Sequence, residues 1–303
     1  MDQNFRYSVA FIGYGEAAYN ISLGMSKEHP TKMIAFDMMH DDPERGPLIR
    51  KRMAEVGVDE AESAEQAIRD AKFIISLTSA AVAVKVAEGL MGKLVSGQVY
   101  VDMNSASPMS MEEIDRLKRC EGVLFCDVGV LGSVPEKKHQ TKMVLSGDGS
   151  DEFYAFMKDY SPNLTVLGKP AGSASAIKMF KSVFNKGFPQ LLLECLVPAA
   201  RYGVYDMVLD GIKNTFAKRN LEQYGDNAMF RTLIHAKRRA AEMSEVADTV
   251  EALGYGAEMS RAACTRLERL AGYDYARRIG LEQPKLKEVI DMVCADDLTE
   301  AQK

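Results

Sequence analysis

The chain has 303 residues, 47% hydrophobic and 27% charged, with a net charge of −5, the profile of a soluble globular protein too long for one typical domain. That charge gives no electrostatic reason to expect nucleic acid, and no apolar run reaches membrane-spanning length, because AAVAVKVAEGLMG is interrupted by Lys85 and Glu88. The start lacks a secretory layout, and five cysteines without a CxxC beside four scattered histidines predict reduced thiols, a cytoplasmic protein and no metal centre.

In chain order, the first predicted element is a strand over Tyr7–Ile12, followed at once by FIGYGEAAYN, residues 11–20. Gly13 suits a tight bend, Gly15 leaves room for a pyrophosphate, and small Ala18 lets a helix pack on the strand. Unpaired N–H groups at that helix start would meet the phosphates, so Gly13, Tyr14, Gly15, Glu16, Ala17 and Ala18 are the expected cofactor cradle. A second strand, Met33–Phe36, ends on Asp37, which suits the hydroxyls of an adenosine ribose. Asp37 would repel a 2′-phosphate and no Arg follows it directly, so NAD is expected rather than NADP.

Further strands are predicted at Phe73–Leu77, Val99–Asp102, Val123–Cys126 and Met143–Ser146, short and apolar as strands buried on both faces are. Between them, Ser63-Ala64-Glu65-Gln66 reads as a capping box and Ser107-Pro108 as an N-cap with proline at the first helical position. The repeated β-then-α order predicts a Rossmann-type doubly wound parallel sheet. In such sheets ligands sit at the carboxyl ends of strands. That places Ser76, Thr78 and Ser79, then Asn104, Ser105 and Ser107, then Asp127 to Ser133 near a nicotinamide ribose and a small polar substrate. Ordinary turn chemistry accounts for the same residues equally well.

Composition changes at Gly168-Lys169-Pro170-Ala171-Gly172, beyond which helical periodicity prevails, as at Met243, Val246, Val250 and Leu253. Two domains are therefore expected, a dinucleotide-binding one over 1–168 and an all-helical substrate and dimerisation domain over 169–303. Small residues open the segment Gly172 to Met179, with Lys178 two turns in. A partly desolvated lysine there can exchange a proton with a substrate hydroxyl; a solvated surface lysine is the plain alternative.

Four segments in order, FIGYGEAA, VDMNSASP, DVGVLGSVPEKKHQTKMVLSGD and GSASAIKMF, resemble the β-hydroxyacid dehydrogenase superfamily. In the second half, KMFKSVFNKGFPQLLLE and HAKRRAAEMSEVADTVEALG resemble its branch with a phosphogluconate-dehydrogenase-like C-terminal domain. The resemblance implies hydride transfer between a small 3-hydroxy acid and a nicotinamide, with Lys178 taking the hydroxyl proton, in a homodimer. It maps the family's Ser-Gly-Gly substrate loop onto Leu131, Gly132 and Ser133, and its fifth-strand Ser-Thr pair onto Asn104 and Ser105. Leu131 departs from the loop serine. Ser182 stands where the family's substrate-orienting asparagine is usual, four residues after the lysine. Asn185, almost two turns from Lys178, shares its helix face and is expected to substitute, or else to bond neighbouring backbone. Of the basic run His235 to Arg239, Lys237 reads as solvated, while His235 and Arg239 are open as contacts to an anionic substrate. Imine reduction on the same scaffold and a non-catalytic NAD(P)-binding protein are the competing functions; Lys178 argues against both.

Overall fold

The computed structural model describes residues 5–279 and 283–301. They form two compact units, one ending at Val183 and one beginning at Phe184. The first carries eight strands: β1 Tyr7–Ile12, β2 Met33–Phe36, β3 Asp59–Glu60, β4 Ala71–Ser76, β5 Val99–Asp102, β6 Leu124–Val130, β7 Met143–Ser146 and β8 Leu164–Val166. Their spatial order is β3-β2-β1-β4-β5-β6-β7-β8. Strands β1 to β6 are parallel; β7 runs antiparallel to β6, with β8 parallel to β7. The doubly wound sheet is thus mostly parallel, and its order reverses at β1 and β4, where such sheets open a ligand crevice.

Four strands keep the bounds the sequence predicts, and β4 shifts by a residue or two. Strand β6 is a correction: it continues through Val130, so Asp127 to Val130 belong to the sheet and not to a loop. Strands β3 and β8 escape the apolar-run criterion, being an exposed Asp-Glu pair and a half-exposed Leu-Thr-Val. Alternate residues of each strand feed two cores, as a sheet covered on both faces requires. Val9 and Phe11 join Val101, Val128 and Leu145 on one side, while Ala10 and Ile12 join Ile74, Tyr100 and Phe125 on the other.

One polar row crosses this apolar sheet. Ser76, Asp102, Asp127 and Ser146 are register partners on β4, β5, β6 and β7, and all four are fully buried. A buried carboxylate is costly unless hydrogen-bonded, and Asp127 receives four donors. Its Oδ2 accepts from the N–H groups of Gly172 (2.9 Å) and Ser175 (3.1 Å) and from Ser146 Oγ (3.0 Å); its Oδ1 accepts from Ser175 Oγ at 2.6 Å. The acid therefore caps, from inside the sheet, the helix Ser173–Tyr202. Two residues on, Gly129 lets that helix approach: a Cβ there would lie 2.5 Å from the Ala174 carbonyl oxygen.

The second unit is helical. Besides the remainder of the Ser173–Tyr202 helix it holds Tyr205–Ala217, Leu221–Ile234, Ala236–Ala252, Glu258–Ala271, Tyr275–Arg278 and Leu286–Ala301. Of the stripe predicted on the Ala236–Ala252 helix and just beyond it, Val250 is buried beside Ala247, whereas Val246 faces solvent. Glu194 repeats the role of Asp127: buried, it accepts from the N–H groups of Met259 and Ser260 and from Ser260 Oγ at 2.6–2.7 Å, capping the Glu258–Ala271 helix.

Gly129→Ala drives a methyl into the Ala174 carbonyl, where neither backbone can yield cheaply. Denaturant unfolding should show a loss of about 1–3 kcal/mol; unchanged stability would mean the helix is not seated on β6.

Candidate active site

The glycine turn is built from behind. Gly13 adopts φ +88°, and a Cβ there would meet the Leu77 carbonyl oxygen at 2.5 Å, so only glycine fits. Its N–H donates to the Phe36 carbonyl. The Tyr14 ring lies in the core, edge-on to Phe11, with its hydroxyl 2.6 Å from Ser22 Oγ, and burial raises its pKa to about 12. The Tyr14 N–H donates to Asp37 Oδ2 at 2.7 Å, and Asp37 Oδ1 accepts from the Met39 N–H at 2.9 Å. Asp37 therefore ties the turn to the end of β2, and each of its oxygens keeps a lone pair for a further donor.

Gly15 is the N-cap of the helix Glu16–Glu28 and makes no side-chain cap bond. Nothing lies within 4 Å of where its Cβ would be. Open space directly above the unsatisfied N–H groups of a first helical turn fits a dinucleotide pyrophosphate.

In front of this turn lies a cleft of about 600 Å³. Of the expected residues, Gly15, Glu16, Ala17, Thr78, Ser79, Asn104, Ser105, Gly132, Ser133 and Lys178 line it together. Gly13, Tyr14, Ala18 and Asp37 are absent from the lining, and the side chains of Tyr14 and Ala18 are wholly buried; the Tyr14 ring packs into the turn's core. Leu131 is also outside, half-buried, its N–H bonded to the Lys142 carbonyl and so extending the β6–β7 pairing. The Ser182 hydroxyl donates to the Lys178 carbonyl at 2.9 Å, a bond along its own helix. Asn185 is exposed, and both it and His235 belong to the second unit. His235 joins two helices, accepting the Arg239 N–H at its carbonyl; Arg239 donates to Thr232 Oγ1.

The floor of the cleft rests on the polar row. The Asn104 N–H donates to Asp102 Oδ1 (2.8 Å), and its Nδ2 donates to Asp102 Oδ2 (3.0 Å) and Ser76 Oγ (3.0 Å). Burial pushes the Asp102 carboxyl up to about 6; the bonds from Asn104 oppose the shift, the charge of Asp127 adds to it, and that of Lys178 opposes it. Sequence reasoning named Ser76, Asn104 and Asp127 as strand-end residues but missed Asp102 and Ser175, and with them the buried role of Asp127 beneath the site. An acid inside an otherwise apolar strand, with glycine two residues on, was the available signal. Apolar liners such as Met103, Val130 and Val134 carried none.

A glycine turn braced by an acid at the end of the second strand, with a lysine in the cleft before it, defines a nicotinamide dinucleotide oxidoreductase. Residues 8–183 match the NAD binding domain of 6-phosphogluconate dehydrogenase, and residues 199–270 match a domain of unknown function, DUF1932. The chain belongs to the β-hydroxyacid dehydrogenase superfamily. A solved conserved hypothetical protein from Sinorhizobium meliloti 1021 is 30% identical, with 95% of this chain and 96% of that one covered and a TM-score of 0.61. The 2-(hydroxymethyl)glutarate dehydrogenase of Eubacterium barkeri is 26% identical over 65% of this chain and 64% of its own. A reductive aminase from Aspergillus terreus, solved with NADPH, shares the fold at 15% identity, with 95% and 99% covered and a TM-score of 0.68. Among the described residues, no helix is long and apolar enough to cross a membrane.

Because folding raises the Asp102 pKa from 3.8 to about 6, the folded state binds that proton more tightly. Its contribution to stability is full below pH 4 and falls by about 3 kcal/mol as the pH rises through 6. The stability of Asp102→Asn relative to wild type should therefore rise between pH 4 and 7 in thermal unfolding; a difference that stays flat would refute the assignment.

Proposed function

We propose that the protein is an NAD-dependent dehydrogenase acting on a small 3-hydroxy carboxylic acid, with Lys178 as general acid and base. The observation that carries this reading is that Lys178 lines the same cleft as Gly15, Ala17 and Asn104. A nicotinamide dinucleotide bound there supplies the hydride acceptor. The protein's own residues do the rest. Gly15 and Ala17 admit the pyrophosphate to the helix start, while the carboxylate of Asp37 receives ribose hydroxyls and disfavours a 2′-phosphate. Gly132 and Ser133 border the cleft where the substrate carboxylate would lie. As the carbinol C–H gives up its hydride, the Lys178 amine takes the hydroxyl proton, leaving a carbonyl and an ammonium; reduction returns both.

A homodimer is part of this reading. Phe180, Val183 and Phe184 are 72%, 74% and 56% exposed on one helix, a contiguous apolar surface of the kind that partners cover. Light scattering should give about twice the chain mass, and a monomer at micromolar concentration would remove this element.

The enzymatic reading is tested by screening 3-hydroxy acids with NAD and NADP at 340 nm. Lys178→Ala should lower kcat by roughly 10²–10⁴-fold while NAD still binds. Wild-type turnover in that variant refutes the lysine's role, and tighter binding of NADP refutes the cofactor preference.

A further inference from the structure

The connection between β6 and β7 borders the cleft at one end, through Gly132 and Ser133. At its other end His139, on the short helical turn Lys138–Gln140, is 5% exposed and packs on the helix Glu16–Glu28, whose first turn also lines the cleft. The ring takes the place of a side chain at Gly24, where a Cβ would overlap Nδ1, Cγ and Cε1 of His139. The two ends of the connection are tied together. The Thr141 hydroxyl bonds the carbonyls of Ser133 (3.2 Å) and Lys138 (2.8 Å), and the Lys137 N–H donates to the Ser133 carbonyl. Lys138, a non-glycine residue at φ +52°, keeps that strained backbone only while its neighbours hold it. Seating an imidazole here is unfavourable, because neither ring nitrogen has a hydrogen-bond partner, and Glu28 Oε1 reaches Nε2 only at 3.5 Å. A leucine would fill the notch without leaving a buried polar group unpaired.

We propose that His139 is a positioning residue: its neutral ring, seated over Gly24, latches the β6–β7 connection to the helix Glu16–Glu28 and so holds Gly132 and Ser133 at the cleft. Protonation releases the latch. The charged groups facing the ring are Glu28 on the helix and Lys138 on its own turn, with the Tyr160 backbone beside them. Burial lowers the His139 pKa from 6.5; the charge of Glu28 opposes the shift and that of Lys138 adds to it. The seated ring therefore binds a proton less tightly than a free one. Its seat is at full strength above pH 6.5 and weakens as the pH falls below that value. The inference rests on the reading of Gly132 and Ser133 as the substrate end of the cleft.

Hydrogen exchange over residues 133–142, read by mass spectrometry and corrected for its intrinsic pH dependence, tests the latch without any ligand. Wild-type protection should fall between about pH 7.5 and about pH 5.5. His139→Leu, which fills the notch and cannot titrate, should keep its protection at both. Gly24→Ala favours the helix but evicts the ring, and should exchange about tenfold faster at both pH values. Flat protection in the wild type overturns the proposal without reliance on any variant. So does a wild-type fall that persists in His139→Leu, or unchanged protection in Gly24→Ala. A second readout uses 3-hydroxybutyrate with saturating NAD. Its KM should rise on acidification more steeply in the wild type than in His139→Leu, and should be raised at both pH values in Gly24→Ala with kcat much less changed. The same pH dependence of KM in wild type and His139→Leu refutes the positioning role. Absence of turnover counts against the enzymatic reading alone, and the exchange comparison still decides the latch.

Discussion

The carboxylate of Asp127 is the interaction on which the rest of the first unit depends. It is a charge in the middle of a strand, beneath a helix and away from water, and it persists because four donors converge on it. Three of them come from Gly172 and Ser175 at the head of the helix that bears Lys178. The position of the proposed acid–base group, one turn beyond Ser175, is thus set by a strand and not by a loop. Functional groups on rigid elements hold their geometry better than groups on flexible ones, and the buried acid is what makes this helix start rigid.

The same row divides labour between two neighbouring carboxylates. Asp127 is saturated with donors, while Asp102 is held only by Asn104 and carries a raised pKa of about 6. Burial raises the Asp102 carboxyl, and the neighbouring Asp127 adds to the shift. Asp102 is therefore the responsive group of the row. Asn104 stands between the responsive group and the cleft, so the chemistry of the floor reaches a ligand through one amide.

Much of this was legible in the sequence, for identifiable reasons. Strands β1, β2, β5 and β7 announce themselves because burial on both faces demands unbroken apolar runs. The glycine turn was legible because Gly13 obeys a steric rule with one solution. Lys178 was found through small residues opening its helix and through family resemblance. What stayed hidden depends on long-range pairing. Nothing local to Asp127 says that Gly172 and Ser175 will supply its donors, and nothing in Leu131 says that its N–H will extend a strand pairing. Membership of the turn likewise did not say that the Tyr14 ring turns into the core and that its N–H bonds Asp37. Asn185 was chosen by helical periodicity and His235 as the head of a basic run, and neither signal says what the residue meets.

The spacing of Asp127 and Gly129 has a consequence for how this strand can vary. Side chains alternate along β6, so the acid and the glycine share one face while Val128 belongs to the core opposite. A single inserted or deleted residue would bring valine under the helix start and turn a carboxylate into hydrocarbon. Substitution at either position damages the helix seat at one point; a change of length exchanges the two faces at once. Strand β6 is therefore a segment whose length is under stricter constraint than its composition, and alignments of related chains should place their gaps outside it.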